Sequence, residues 1–114
     1  MKQICHLAKT LEYLGKKWTL SILHELQIHT TQRFSTLIIA LPNISARTLS
    51  QRLQELESQQ LITKQKFAET PPRIEYTLTK KGQELILCFK HLDVWVGKFE
   101  KKYFRPFVEV IERK

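Results

Sequence analysis

Arg47, Gln51 and Gln54 fall on one side of the stretch NISARTLSQRLQELESQQLI, residues 43–62, with Ser50 and Ser58 among them. Arginine presents a fork of donors that fits the N7 and O6 acceptors of guanine, and the glutamine amide pairs a donor with an acceptor as adenine does. The chemistry open to such a row is recognition of base edges, not the making or breaking of bonds. Leu49, Leu53 and Leu56 recur at intervals of four and three. At 100° per residue they lie within about 60° of one another and define a buried stripe, with Arg47, Gln51, Gln54 and Ser58 on the opposite face. Ser45 suits the N-cap of this helix, and Ile44 just before it can staple onto Leu49. The candidate contact set on this helix, expected over about residues 45–58, is Ser45, Ala46, Arg47, Thr48, Ser50, Gln51, Arg52 and Gln54. The same residue types also suit the solvated face of any bundle helix, so the neighbouring elements must decide.

Other chemistry is thinly represented. There is no glycine-rich phosphate loop and no nucleophile elbow, and His24 and His29 are five apart, off the spacing of a helical zinc pair. Cys88 and His91 share a helical face, and with Cys5 and His6 they could form a Cys2His2 set if the termini met. Cys88 lies on an apolar stripe and reads as a core thiol, while His6 and His91 read as surface residues. No catalytic residue, cofactor or metal is therefore expected. Two cysteines in 114 residues are too few for a secreted disulfide framework. No apolar run approaches the roughly 18 residues of a membrane span, and MKQICHLAK lacks the core of a signal peptide, so a cytoplasmic location and no membrane partner are expected.

Composition and periodicity place the reading helix in a single domain. The chain is 42% hydrophobic and 26% charged, as ordinary globular proteins are, and no repeat or linker divides it. An excess of 19 Lys and Arg over 11 Asp and Glu, a net charge of +8, favours an anionic partner such as nucleic acid or an acidic surface. Leu7, Leu11 and Leu14 mark a first helix that Gly15 stops. Trp18, Ile22, Leu23 and Leu26 mark a second. Phe34, Leu37, Ile38 and Leu41 mark a short third helix, ended by a turn at Pro42 and Asn43. After the reading helix, LITKQKF and RIEYTLT read as two strands joined by the turn-rich AETPP. A hairpin behind a helix-turn-helix is a wing, expected over about residues 61–79. Residues 61–81 carry five basic residues, Lys64, Lys66, Arg73, Lys80 and Lys81, against Glu69 and Glu75. Lys64, Lys66 and Arg73 are the expected phosphate contacts, and the helix the expected base reader.

Three consecutive blocks carry a family resemblance. LGKKWTLSILHEL, RFSTLIIALPNISARTLSQRLQELESQQLI and PPRIEYTLTKKGQEL together resemble the HxlR-type winged helix-turn-helix transcriptional regulators, with Cys5 at the place of that family's frequent N-terminal cysteine. The resemblance implies a homodimer that binds double-stranded operator DNA and regulates transcription, with recognition helix and wing on the duplex and terminal helices at the dimer interface. It also implies that Cys5 senses oxidants or electrophiles. Cys5 stands just ahead of the first helix, near Lys2 and Lys9, where the positive helix end favours a reactive sulfur. Cys88 is the candidate second sulfur for a disulfide between subunits. Two departures stand out: His6 replaces the proline that often follows the family's cysteine, and Ile38 and Ile39 occupy positions that tend to be polar or basic there.

The C-terminal segment points to a dimer on its own grounds. Leu85, Cys88, Leu92, Trp95 and Phe99 recur at alternating intervals of three and four, continuing towards Tyr103 before Pro106 interrupts. A helix over about residues 81–105 with such a stripe is most economically buried against a symmetry mate. Leu7, Leu11, Leu92, Trp95 and Phe99 are the expected interface residues. The expected fold is mainly α with a small antiparallel β hairpin, one winged helix-turn-helix domain over residues 1–114. The expected function is a sequence-specific DNA-binding regulator, a homodimeric repressor on a near-palindromic operator that is open to a small-molecule or oxidant effector. The competing reading is a helix-turn-helix that docks a protein partner without specific DNA binding.

Overall fold

Apolar residues spaced three and four apart make the first third of the chain helical, and their buried sides converge on one core. The computed structural model describes residues 5–99. In order these form α1 (His6–Leu14), α2 (Thr19–Ile28), β1 (Thr31–Arg33), α3 (Phe34–Ala40), α4 (Ala46–Ser58), β2 (Ile62–Phe67), β3 (Arg73–Leu78), α5 (Lys80–Cys88) and α6 (Lys90–Phe99). α2 lies at the centre, with Ile22, Leu23 and Leu26 fully buried among Leu37, Leu49, Leu53, Leu56, Leu61, Ile62 and Ile86. Each such side chain contributes roughly 1.5–3 kcal/mol by leaving water. α1 buries Leu14 alone and turns Leu7 and Leu11 outward. Gly15 closes it, donating its N–H to the Leu11 carbonyl at 2.8 Å.

The sheet has three antiparallel strands in the order β1-β3-β2, one more than the expected hairpin. β2 and β3 pair from Ile62 opposite Leu78 to Phe67 opposite Arg73, and β1 adds Thr31 opposite Thr77 on the other edge of β3. The polar segment TQR has no strand pattern of its own. It becomes a strand because β3 offers a free edge, the Thr31 and Thr77 hydroxyls bond at 2.9 Å, and the buried Gln32 amide donates to the Glu25 carbonyl of α2.

The end of α4 sets the path into the sheet. Gln60 takes a left-handed conformation (φ 62°), its N–H bonds to the Glu57 carbonyl, and the Leu61 N–H reaches the Leu56 carbonyl at 3.0 Å. This is a Schellman closure with glutamine in the place glycine usually takes. The start of α5 docks onto the same turn. The Thr79 hydroxyl caps α5 by accepting from the Gly82 N–H and donates to the Gln60 carbonyl at 2.7 Å, while the Thr79 N–H bonds to the Leu61 carbonyl at 3.0 Å.

The C-terminal helix is not continuous as expected. Phe89 separates α5 from α6: it packs against the core, and its N–H turns to the Ile86 and Leu87 carbonyls instead of the residue four back. α5 stays on the body through buried Ile86, whereas no side chain of α6 is fully buried. Cys88, expected in the core, is exposed, as are Leu92, Trp95 and Phe99 of the same stripe, while Leu85 packs against the core. Lys2, Tyr103, Pro106 and the expected end of the helix near residue 105 lie outside the described residues.

Candidate nucleic-acid interface

The tight turn at Asn43 (φ 72°) delivers α4 with its polar face outward. Ser45 caps it, accepting the Thr48 N–H at 3.0 Å and donating to the Thr48 hydroxyl at 2.9 Å, so both side chains serve the helix start. Leu49, Leu53 and Leu56 hold the helix to the core. That leaves Ala46, Arg47, Ser50, Gln51 and Gln54 exposed along the outward side, as the periodicity requires.

The hairpin of β2 and β3 stands beside this helix. Lys64 and Lys66 are exposed on β2. Lys64 lies opposite Tyr76 and reaches a polar cleft of about 220 Å³ lined by Ser50, Gln54, Glu57, Lys64 and Tyr76. The fold thus joins residues of helix and wing in one concavity. Tyr76 forms its buried wall. Burial, reinforced by the Glu57 carboxylate, pushes the Tyr76 phenol above its ordinary value of 10.0 and keeps it neutral. Glu57 is a member of this cleft that the pattern of exposed polar residues did not single out.

Two of the arginines expected as DNA contacts have partners within the protein. The Arg73 guanidinium lies 2.7 Å from Glu69 and 3.0 Å from Glu75 and covers the Phe67 ring at 4.0 Å. Its charge is matched and its plane stacked, so it stiffens the base of the wing loop. Arg52 turns towards the body: its Nε donates to the Lys17 carbonyl at 2.9 Å, and its Nη1 lies 3.3 Å from a Glu55 oxygen. Periodicity gave no sign of the Lys17 contact, because the partner is 35 residues away. The Arg52 and Glu55 spacing of three was visible.

A thiol and an apolar face complete the surface. Cys5 is exposed and caps α1, its Sγ accepting the Ala8 N–H at 3.4 Å. On another face of α1, His6, Lys9, Tyr13 and Lys16 line a cleft of about 410 Å³ against Gln59. Leu7 is 65% exposed and Trp95 54%, with Leu11, Leu92 and Phe99 also open to solvent and the Trp95 and Phe99 rings 5.6 Å apart. Among the described residues, no three of His, Cys, Asp and Glu converge to hold a metal, and no helix is long and apolar enough to cross a membrane.

Short helix, turn, outward-facing second helix and adjoining hairpin define a winged helix-turn-helix protein. A family model for HxlR-like helix-turn-helix proteins matches residues 13–103, and the chain belongs to that family of DNA-binding transcriptional regulators. It is similar to the uncharacterised HTH-type transcriptional regulator YvaP of Bacillus subtilis (strain 168), 41% identical over 91 residues that cover 80% of this chain and 83% of YvaP. The HTH-type transcriptional regulator YodB of the same organism is 37% identical over 86 residues, 75% of this chain and 76% of YodB. The solved reduced form of YodB superimposes with a TM-score of 0.71 at 31% identity, over 85% of this chain and 95% of that one. The redox regulator HypR, solved in its oxidised form, does so with a TM-score of 0.68 at 30% identity, over 82% of this chain and 96% of that one.

Proposed function

We propose that this chain is a cytoplasmic, sequence-specific repressor that binds a near-palindromic operator as a homodimer and releases it when oxidants or electrophiles modify Cys5. The observation that carries the reading is the outward row of Arg47, Ser50, Gln51 and Gln54 on α4, with Lys64 and Lys66 of the wing beside it. Base edges are read by the helix and phosphates by the lysines. Support for the dimer comes from the apolar residues exposed on α1 and α6, too many and too large to be left in water. Support for the sensor comes from the exposed Cys5 thiol at the start of α1 and from the likeness to two regulators, YodB, solved in a reduced form, and the redox regulator HypR.

Selecting bound duplexes from a random pool tests this directly. A twofold dimer should enrich inverted half-sites about 34 Å apart, one duplex turn, and the recovered sequence placed in a promoter should silence a reporter when the chain is present. A pool that yields no common sequence, with binding to DNA insensitive to salt, would favour the protein-docking reading instead.

A further inference from the structure

Arg52 stands on the recognition helix between Gln51 and Leu53, yet its side chain is only 18% exposed and its Nε and Nη1 both have partners inside the protein. Nε donates to the Lys17 carbonyl at 2.9 Å and Nη1 lies 3.3 Å from Glu55 Oε2. That same carboxylate oxygen takes the Lys16 ammonium at 2.9 Å. Two adjacent residues of the joint between α1 and α2 are thereby tied to the middle of α4.

The joint is an unusual one. Immediately after the carbonyl that Arg52 holds, Trp18 adopts a left-handed backbone (φ 81°, ψ −16°), a conformation bulky side chains rarely take. The Trp18 ring packs against the core with the Lys17 ammonium 5.5 Å above it. A backbone in this state persists only when its surroundings over-determine it, and α4 adds side-chain bonds to the local Thr19 N–H to Lys16 carbonyl bond at 3.2 Å. On the far side of the joint lies α1, which buries a single residue and carries the exposed Leu7 and Leu11 together with Cys5. With only Leu14 buried and Tyr13 packed partly beside it, the direction of α1 relative to α4 depends on how the joint is held.

We propose that Arg52 and Glu55 are positioning residues that lock the α1–α2 joint onto the recognition helix and so determine which half-site spacing a dimer accepts. This rests on the dimeric, base-reading function proposed above. Arg52 is accordingly not a DNA contact.

The test measures binding of the full chain to its selected operator, to operators with spacers one or two base pairs longer or shorter, and to a single half-site, across a range of salt. The wild type prefers one spacing sharply. Arg52→Ala and Glu55→Gln each reduce that preference about tenfold, within the range of ordinary coupling between sites, and leave half-site affinity and salt slope unchanged. The double variant is no worse than either single one, because one clamp is lost. Arg52→Lys keeps the charge but not the fork and behaves as Arg52→Ala. Wild-type behaviour of Arg52→Lys, a slope lowered by about one in Arg52→Ala, or a sharp preference retained in Glu55→Gln overturns the proposal. Should the chain select no operator, hydrogen exchange decides independently of DNA: both variants should speed exchange of the Thr19 amide while the Leu49, Leu53 and Leu56 amides of α4 keep their protection. Unchanged exchange at Thr19 overturns the lock.

Discussion

Arg47 and Arg52 are five residues apart on one helix, and the helix turns them to different surroundings. Arg47 is exposed beside Gln51, while Arg52 is drawn to the Lys17 carbonyl. Arg47→Ala and Gln51→Ala should each cost about 1–3 kcal/mol on the best operator and relax base preference, as titration of operator and random duplexes would reveal. Equal losses on both duplexes would take base reading away from these side chains. Lys64→Ala and Lys66→Ala should weaken all sequences alike and lower the slope of log affinity against log salt by roughly one for each contact removed. Arg73→Ala should leave that slope close to wild type, since Glu69 and Glu75 already balance its charge. Cys5 belongs to this scale too. An oxidant or quinone should release the wild type from its operator, whereas Cys5→Ser should bind normally and resist the reagent; equal sensitivity of the two proteins would end the sensor role.

Elements meet most tightly where α4 passes into β2 and β3 passes into α5. Thr79, Gly82 and Leu61 share one small volume, and a Cβ added at Gly82 would fall inside the contact radius of the Leu61 carbonyl and against the Leu78 side chain. Gly82→Ala should therefore destabilise the fold by about 1–3 kcal/mol in urea unfolding, through overpacking and through loss of the turn at Gln60. A variant as stable as wild type would mean that α5 shifts without cost. The TLTKKG motif is thus a packing device. It brings the root of the C-terminal helices onto the end of the recognition helix, and the Lys81 ammonium adds a bond to the Gln59 carbonyl at 2.8 Å.

At the scale of the whole molecule, the apolar surface is divided between a core centred on α2 and two outward faces on α1 and α6. The break at Phe89 makes this division, holding α5 to the body and leaving Leu92, Trp95 and Phe99 exposed. Trp95 is the largest of these and stacks near Phe99, the position of an aromatic anchor. Trp95→Ala should shift the protein towards monomer in sedimentation velocity and weaken the two-half-site operator far more than a single half-site. A fully dimeric variant would move the interface elsewhere.

Local pattern alone determined the first four helices and the hairpin, but not the break at Phe89 between α5 and α6. Leu49, Leu53 and Leu56 specified both the buried stripe and the opposite face, and Ser45 specified the start, because amphipathic period and capping are properties of a few neighbouring residues. The blocks from Gly15–Trp18 to Thr79–Gly82 carried the family. Tertiary structure alone decided β1, which exists only as an edge for β3, and the left-handed residues Trp18 and Gln60, which are not glycines and so announce no turn. It decided as well which arginines find partners within the protein. Arg52 and Arg73 look the same as Arg47 in a string of letters, and only the approach of Lys17 to Arg52, and the register that sets Phe67 opposite Arg73, distinguish their surroundings. Opposite charges and carbonyls brought together by folding neutralise a side chain, and that proximity has no signature in residue spacing when the partners are 35 positions apart.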